Sequence, residues 1–249
     1  MPSPMRTAFG VLLVGVLAGS AYWYTQGPAV GATKEYNPPF SADNFVPEVN
    51  HKYFTLTPGK KYQYEKKTNA GIERREVTIL NEGKKVMGVA VTTIWDKEWL
   101  NGALKEDTRD WYAQDKQGNV WYFGEAVANY KDGKLVNYNG TWEAGVNGAS
   151  PGVIMPADPQ VGMTYRQESA KGVAEDMGTV VALGKKVTIR YGTFEGCIQI
   201  RDWSLIEKAA NEFKYYCPGV AFMVLEELAG PVASLVGESK SELVAVTQP

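Results

Sequence analysis

The sequence predicts an all-β protein, an antiparallel meander that curls into a half-barrel or barrel behind an N-terminal export or anchor helix. Three observations lead there. The composition is rich in strand and turn formers, with 14 Tyr, 7 Trp and 26 Gly, residues that suit pleated surfaces and tight turns. Short runs rich in Tyr, Trp, Val and Ile recur between turn signals such as Asn81-Glu82-Gly83, Lys116-Gln117-Gly118 and Asp132-Gly133. No amphipathic helix of useful length appears, the best being a short helical turn over 205–211.

The N-terminal segment comes first. Arg6 precedes an uncharged apolar run from Ala8 to Ala21, the pattern of a secretory signal. Residues 1–32 therefore read as a signal peptide or signal anchor. Two outcomes stay open: cleavage after a small residue, at Gly19-Ser20-Ala21 or Val30-Gly31-Ala32, or retention with Tyr22-Trp23-Tyr24 at the membrane interface. Leu17-Ala18-Gly19-Ser20 has the outline of a lipobox, but Ser20 stands where the lipid-accepting cysteine belongs. The expected location is exported, periplasmic or extracellular, with any membrane contact made through this segment alone.

Residues 33–52 carry Asn37-Pro38-Pro39 and Pro47 and read as a Pro-rich tether. Strand-like runs then follow at 61–67, 73–80, 86–99, 104–114, 120–125, 134–143, 164–169, 176–183, 186–190, 194–205, 212–216, 221–228 and 241–246. The Gly- and Pro-rich stretch 145–162 is either a boundary or an edge-crossing loop. Both flanking halves are short for independent sandwiches, so 53–246 reads as a single β domain with a possible subdivision there.

The stretch from Asp110 to Glu125 (DWYAQDKQGNVWYFGE) is a hairpin with Gly118 at the bulge position of its turn. Its expected register sets Ala113 opposite Trp121, Tyr112 opposite Tyr122, Asp110 opposite Gly124 and Arg109 opposite Glu125. Alternation then gives one face to Trp111, Trp121, Phe123 and an Arg109–Glu125 ion pair. The other face takes Asp110, Tyr112, Gln114, Val120 and Tyr122. The Trp face reads as core, and the Tyr face with Asp110 and Gln114 as the candidate ligand surface.

Cys197 and Cys217 are the two cysteines of the chain. In an exported protein they read as one disulfide. Placing them opposite each other puts the turn at 205–209 and sets Gln199 against Tyr215, Arg201 against Phe213 and Trp203 against Asn211. Ile198, Ile200, Lys214 and Tyr216 take the opposite face. Arg201 between Trp203 and Phe213 is a cation-π stack or a carboxylate receptor, so Arg201 and Trp203 join the candidate ligand residues.

Much chemistry is absent. A net charge of -2 gives no footprint for nucleic acid. His51 is the single histidine, which removes Ser-His-Asp catalysis and histidine zinc sites. No Walker or dinucleotide motif occurs, and no cofactor or metal is expected. Carboxylate chemistry remains: Glu106-Asp107 with Asp110, and Glu175-Asp176, can supply an acid/base pair or oxygen ligands.

The segments WYAQDKQGNVWYFGE, PGVIMPADPQVGMTYRQE, KGVAEDMG and YYCPGVAFMVLEE together resemble a group of exported β-rich bacterial proteins. The resemblance spans roughly residues 53–228 and implies export and a β fold, with no activity or catalytic residue to transfer. Relatives of that group are expected to read Tyr-Tyr-x-Pro-Gly-Val-Gly where this chain has Cys217 at the variable place and Ala221 at the last glycine. A looser likeness at fold level is to periplasmic half-barrels that carry lipids or lipoproteins. The leading functional expectation is a non-enzymatic extracytoplasmic binding or carrier protein holding a small apolar or carbohydrate ligand on an aromatic sheet face. The alternatives are a glycosidase-like carboxylate hydrolase and an envelope scaffold module.

Overall fold

The computed structural model describes residues 36–207, 209, 211–229 and 240–249. The expected export segment over 1–32 lies outside the described residues, as does part of the turn at 205–211. Among the described residues the helical structure is one 3-10 turn, Ala42–Asn44.

The long strands form a single 16-stranded antiparallel sheet. In spatial order its circuit runs Asp176–Ile189, Gly192–Ser204, Asn211–Cys217, Phe222–Leu228, Lys240–Thr247, Lys61–Thr68, Gly71–Leu80, Thr92–Leu100, Ala103–Asp115, Val120–Lys131 and Ser150–Met155. The two ends of this circuit are joined by one short segment. Thr164–Arg166 pairs with Asp176–Ile189, while Glu168–Ser169 pairs with Ser150–Met155. The sheet is thereby a nearly closed barrel, and closure removes the exposed edges that an open sheet presents.

Two glycines make room for that closing segment. A Cβ on Gly152 would sit 2.2 Å from the Gln167 carbonyl oxygen, and one on Gly178 would sit 2.7 Å from the Tyr165 ring. At Gly152 the obstacle is backbone and no larger residue fits, whereas at Gly178 the Tyr165 ring and the Gln167 amide would have to shift. Both halves of the chain contribute to the circuit, and the stretch 145–162 contains one of its strands.

The N-terminal residues depart from the tether expected over 33–52. From Tyr36 the chain is laid on the barrel, because its aromatic residues find partners there. Phe40 and Phe45 pack edge-on against Phe123, with ring centroids 6.2 Å and 5.3 Å away. Phe45–Val46 adds a short strand beside Gln114 and Asp115. The hairpin Asn50–His51 with Phe54–Thr55 then drives Phe54 against Tyr112, Tyr216 and Phe222, plugging one end of the barrel.

Candidate functional site

The Asp110–Glu125 hairpin follows its expected register from Gln114 through Tyr112, with Ala113 opposite Trp121 and Tyr112 opposite Tyr122. Beyond Tyr122 the expectation fails. Asp110 stands opposite Glu125, and Arg109 opposite Ala126. The cause is a bulge at Gly124, whose φ is +126° and whose Cβ would lie 2.4 Å from the Trp142 carbonyl oxygen. Strand Trp142–Glu143 pairs onto the bulge and leaves space only for glycine. The expected Arg109–Glu125 ion pair is therefore replaced. Arg109 instead reaches Glu82 at 3.3 Å and Asp107 at 3.7 Å on the outer surface, and Glu125 turns inward, buried beside Asp110.

The two faces of this hairpin are the two sides of the barrel wall. Trp111, Trp121 and Phe123 face outward, beneath Phe40, Phe45 and Lys84. Tyr112, Tyr122, Asp110 and Gln114 face the interior. There the Tyr112 and Tyr122 rings stack at 4.7 Å, and the Tyr122 hydroxyl donates to Asp110. The Gln114 amide donates to Asn50 Oδ1 at 2.9 Å and accepts from the Asn50 backbone N–H at 2.9 Å. Gln114 is thus a fastener for the plug. Arg201 and Trp203 lie elsewhere, on the outer face of Gly192–Ser204, where Arg201 donates to Asn211 at 2.7 Å and Trp203 to Thr179 at 3.2 Å. The six candidate ligand residues consequently divide between two surfaces on opposite sides of the wall.

The cysteine hairpin has the expected pairing: Gln199 opposite Tyr215, Arg201 opposite Phe213 and Trp203 opposite Asn211. The Cys197–Cys217 disulfide is formed, with Cα atoms 4.2 Å apart, and both residues are fully buried. Strand Gly192–Ser204 also forms a hairpin with Asp176–Ile189, and at the turn of that hairpin Arg190 bonds Glu65 and Glu242 at 3.2 Å each.

Inward positions change character at one level around the barrel. Tyr64 gives way to Lys66, Val77 to Arg75, Ile94 to Asp96, Tyr112 to Asp110, Ile200 to Asp202, Tyr216 to Lys214 and Met223 to Glu226. One half is aromatic and aliphatic, and the other is a belt of charge. Arg75 anchors part of the belt, donating to Asp96 through Nε at 2.7 Å and approaching Glu226 at 3.7 Å and Glu98 at 4.0 Å. Lys214 anchors the rest, 2.8 Å from both Asp202 and Glu212. A cavity of about 20 Å³ remains at the boundary, space for about one water molecule. Burial, reinforced by neighbouring carboxylates, pushes the Glu98 carboxyl up to about 8 and those of Glu106 and Asp110 up to about 7. Burial also raises Glu212 well above its ordinary value.

The expected carboxylate clusters are divided by the same alternation. Glu106 and Asp110 belong to the belt, whereas Asp107 points outward and accepts from the Trp95 indole at 2.8 Å. Glu175 is occupied by the Gly172 N–H and by Arg166. His51 sits in the plug hairpin, accepting from the Tyr53 N–H at 3.2 Å, and burial lowers its pKa.

A larger concavity, about 350 Å³, opens on the outer surface over the strands Lys61–Thr68, Gly71–Leu80 and Thr92–Leu100. Its lining includes Gln63, Glu65, Arg74, Glu76 and Trp99. The polar groups are preset in pairs: Arg74 bonds Glu65 at 3.1 Å, and Gln63 bonds Glu76 at 3.2 Å. Trp99 supplies an aromatic face, and two residues back along the same side Lys97 lies over the Trp95 ring at 3.6 Å. Sequence reasoning did not find this groove. Its trace was the alternation Trp95, Lys97, Trp99, which places both indoles on one face of a strand.

Together the barrel and the groove define an all-β, disulfide-bonded domain with a packed interior and an open outer site. No known protein family matches the chain, and no curated protein matches it. Among solved structures, a Bacteroides fragilis protein described as exported and of YmcC-like fold aligns at 14% identity over 79% of this chain and 99% of that one. Its TM-score is 0.33, too loose a superposition to carry a function across.

Proposed function

We propose that this is an exported, non-enzymatic binding protein of the cell envelope that holds a small sugar-like ligand in its outer groove. The observation that carries the proposal is the groove itself. An indole face beside preset carboxylate, guanidinium and amide groups offers both surfaces that a pyranose presents, its C–H face and its hydroxyl rim. The barrel interior supports the same reading, because the cavity at the boundary of its two halves has room for about one water. A fully buried disulfide fits an oxidising compartment. The proposed ligand residues are accordingly Gln63, Arg74, Glu76 and Trp99, in place of the interior-facing Asp110, Tyr112, Gln114 and Tyr122.

The test is titration of the folded protein with a panel of neutral and acidic oligosaccharides, followed by tryptophan fluorescence and saturation-transfer NMR. At least one saccharide is expected to bind. Trp99→Ala should then weaken it by about tenfold or more while leaving Tm nearly unchanged. Binding that survives Trp99→Ala, or a panel with no binder, overturns the assignment. Release of cleaved sugar would favour the hydrolase alternative.

A further inference from the structure

We infer that the charged half of the barrel interior is a proton-binding site, so that folding takes up protons near neutral pH and the domain loosens as the medium turns alkaline. The geometry carries this. Two buried cations, Arg75 and Lys214, serve five carboxylates between them: Asp96, Glu98 and Glu226 around the first, and Asp202, Glu212 and again Glu226, which stands opposite Lys214, around the second. The barrel register adds carboxyls side by side, with Glu98 opposite Glu106, Asp110 opposite Glu125 and Asp202 opposite Glu212.

Buried oxygens within the belt lack hydrogen bonds among the described residues. They are Asp96 Oδ1, Asp110 Oδ2, Glu212 Oε2 and Glu226 Oε2, on residues each less than one-tenth exposed. A bare carboxylate oxygen in such surroundings is expensive, and adjacent carboxylates cannot all ionise. A proton removes the charge, and with it the repulsion and the larger part of the burial cost.

The groups facing Asp110 can be named wall by wall. They are Arg75 from Gly71–Leu80, Asp96 from Thr92–Leu100, Glu106 on its own strand, Tyr122 and Glu125 from Val120–Lys131, and Lys214 from Asn211–Cys217, while Glu168 from the closing segment and Tyr216 stand near its neighbours Tyr112 and Tyr122. The third buried cation, Lys66, is engaged with Glu73 at 3.7 Å. The tyrosines stay neutral, since burial raises them. Acids therefore outnumber bases around the belt, and the raised carboxyls of Glu98, Glu106 and Asp110 agree with proton retention.

The sign follows from linkage. A carboxyl that titrates higher when folded than when unfolded holds more protons in the folded state between those two values, so stability falls as pH rises through that window. Here the window runs from about 4 to about 8. His51 acts oppositely: a lowered histidine pKa makes stability rise with pH, so the chain's one histidine cannot produce the expected slope.

The experiment is thermal unfolding of the full, disulfide-bonded chain from about pH 5 to about pH 8. Tm should fall by about 5 °C or more across that range. Asp110→Asn, which keeps an acceptor for Tyr122, and Glu98→Gln, whose parent side chain is 20% exposed and so tolerant of change, should each flatten the fall and raise Tm at the alkaline end. If Asp110→Asn fails to fold, Glu98→Gln still decides. A flat or rising Tm in the parent, or slopes unchanged in the variants, overturns the inference. Recovery of Tm at about pH 8 by calcium, magnesium or spermidine would overturn it too, by assigning the belt to a cation.

Discussion

The two halves of the barrel interior show how one wall can be held together in two ways. On the plugged side, Tyr112, Tyr122, Tyr216, Phe222 and Phe54 fill the space ring against ring, and their stabilisation comes from area removed from water. On the other side the same strands continue with Arg75, Asp96, Asp110, Asp202, Lys214 and Glu226. Their mutual attraction there must first offset desolvation. Away from the Tyr122 hydroxyl at its border, the first half is indifferent to protons and salt. The second depends on which carboxyls are charged, which makes the two halves separable by experiment.

The sharpest separation compares one large deletion in each half. Tyr112→Ala removes a ring that packs on both Tyr122 and Phe54 and should destabilise by about 3–5 kcal/mol. That loss should be the same at every pH. Arg75→Met keeps the bulk of the side chain but leaves Asp96, Glu98 and Glu226 without their shared cation. It should cost about 3–5 kcal/mol when those carboxyls are ionised, and distinctly less in mildly acidic medium, where protons replace the guanidinium. Denaturant unfolding of both variants at two pH values gives the answer. Equal pH dependence in the two would mean that the halves are not distinct.

This contrast was partly visible in the sequence. The hairpin from Asp110 to Glu125 and the cysteine hairpin could be registered from their turns, because a three-residue loop and a disulfide each fix the ladder beside them. The register was lost at Gly124, since the reason for the bulge is the approach of Trp142 from another strand, and the pattern of the hairpin itself carries no record of that. Arg75 shares its face with Val77 and Ile79 by simple alternation, so its burial was legible. Its partners were not, because they come from two other strands. Residues 33–52 read as a tether because proline and polar residues hide the period, although Phe40 and Phe45 had to be covered somewhere. The groove at Trp99 is a product of sheet curvature, which single-strand alternation does not encode.

A finer comparison uses two tyrosine hydroxyls in the interior. Tyr122 Oη donates to Asp110, at the border of the charged half. Tyr62 Oη, in the apolar half, is buried with no hydrogen-bond partner among the described residues. Tyr122→Phe should therefore destabilise by about 1–2 kcal/mol, with the loss growing as Asp110 ionises and needs its donor. Tyr62→Phe removes an unsatisfied polar atom and should be neutral or stabilising by up to about 1 kcal/mol. Chemical denaturation resolves differences of this size. Two variants of equal stability would show that the hydroxyl of Tyr62 has found water.

The smallest expected effect lies under the plug, at the point that ties it to the apolar half. Ala221 adopts a φ of +56°, the left-handed region where a Cβ is strained by roughly 1 kcal/mol. The conformation is required by two bonds: its N–H donates to the Cys217 carbonyl at 2.8 Å, and its own carbonyl accepts the Thr55 N–H of the plug hairpin at 2.7 Å. Glycine takes this conformation without that strain. Ala221→Gly should relieve the strain, partly offset by the greater freedom of glycine in the unfolded chain, for a net gain of about 0.5–1 kcal/mol. Because no carboxyl is involved, the gain should be the same in acidic and alkaline medium, unlike that of Asp110→Asn or Glu98→Gln. A gain that vanishes in alkali would mean that the plug senses the charged belt across the barrel. A loss at every pH would mean that the turn at Ala221 is held by contacts of its methyl group.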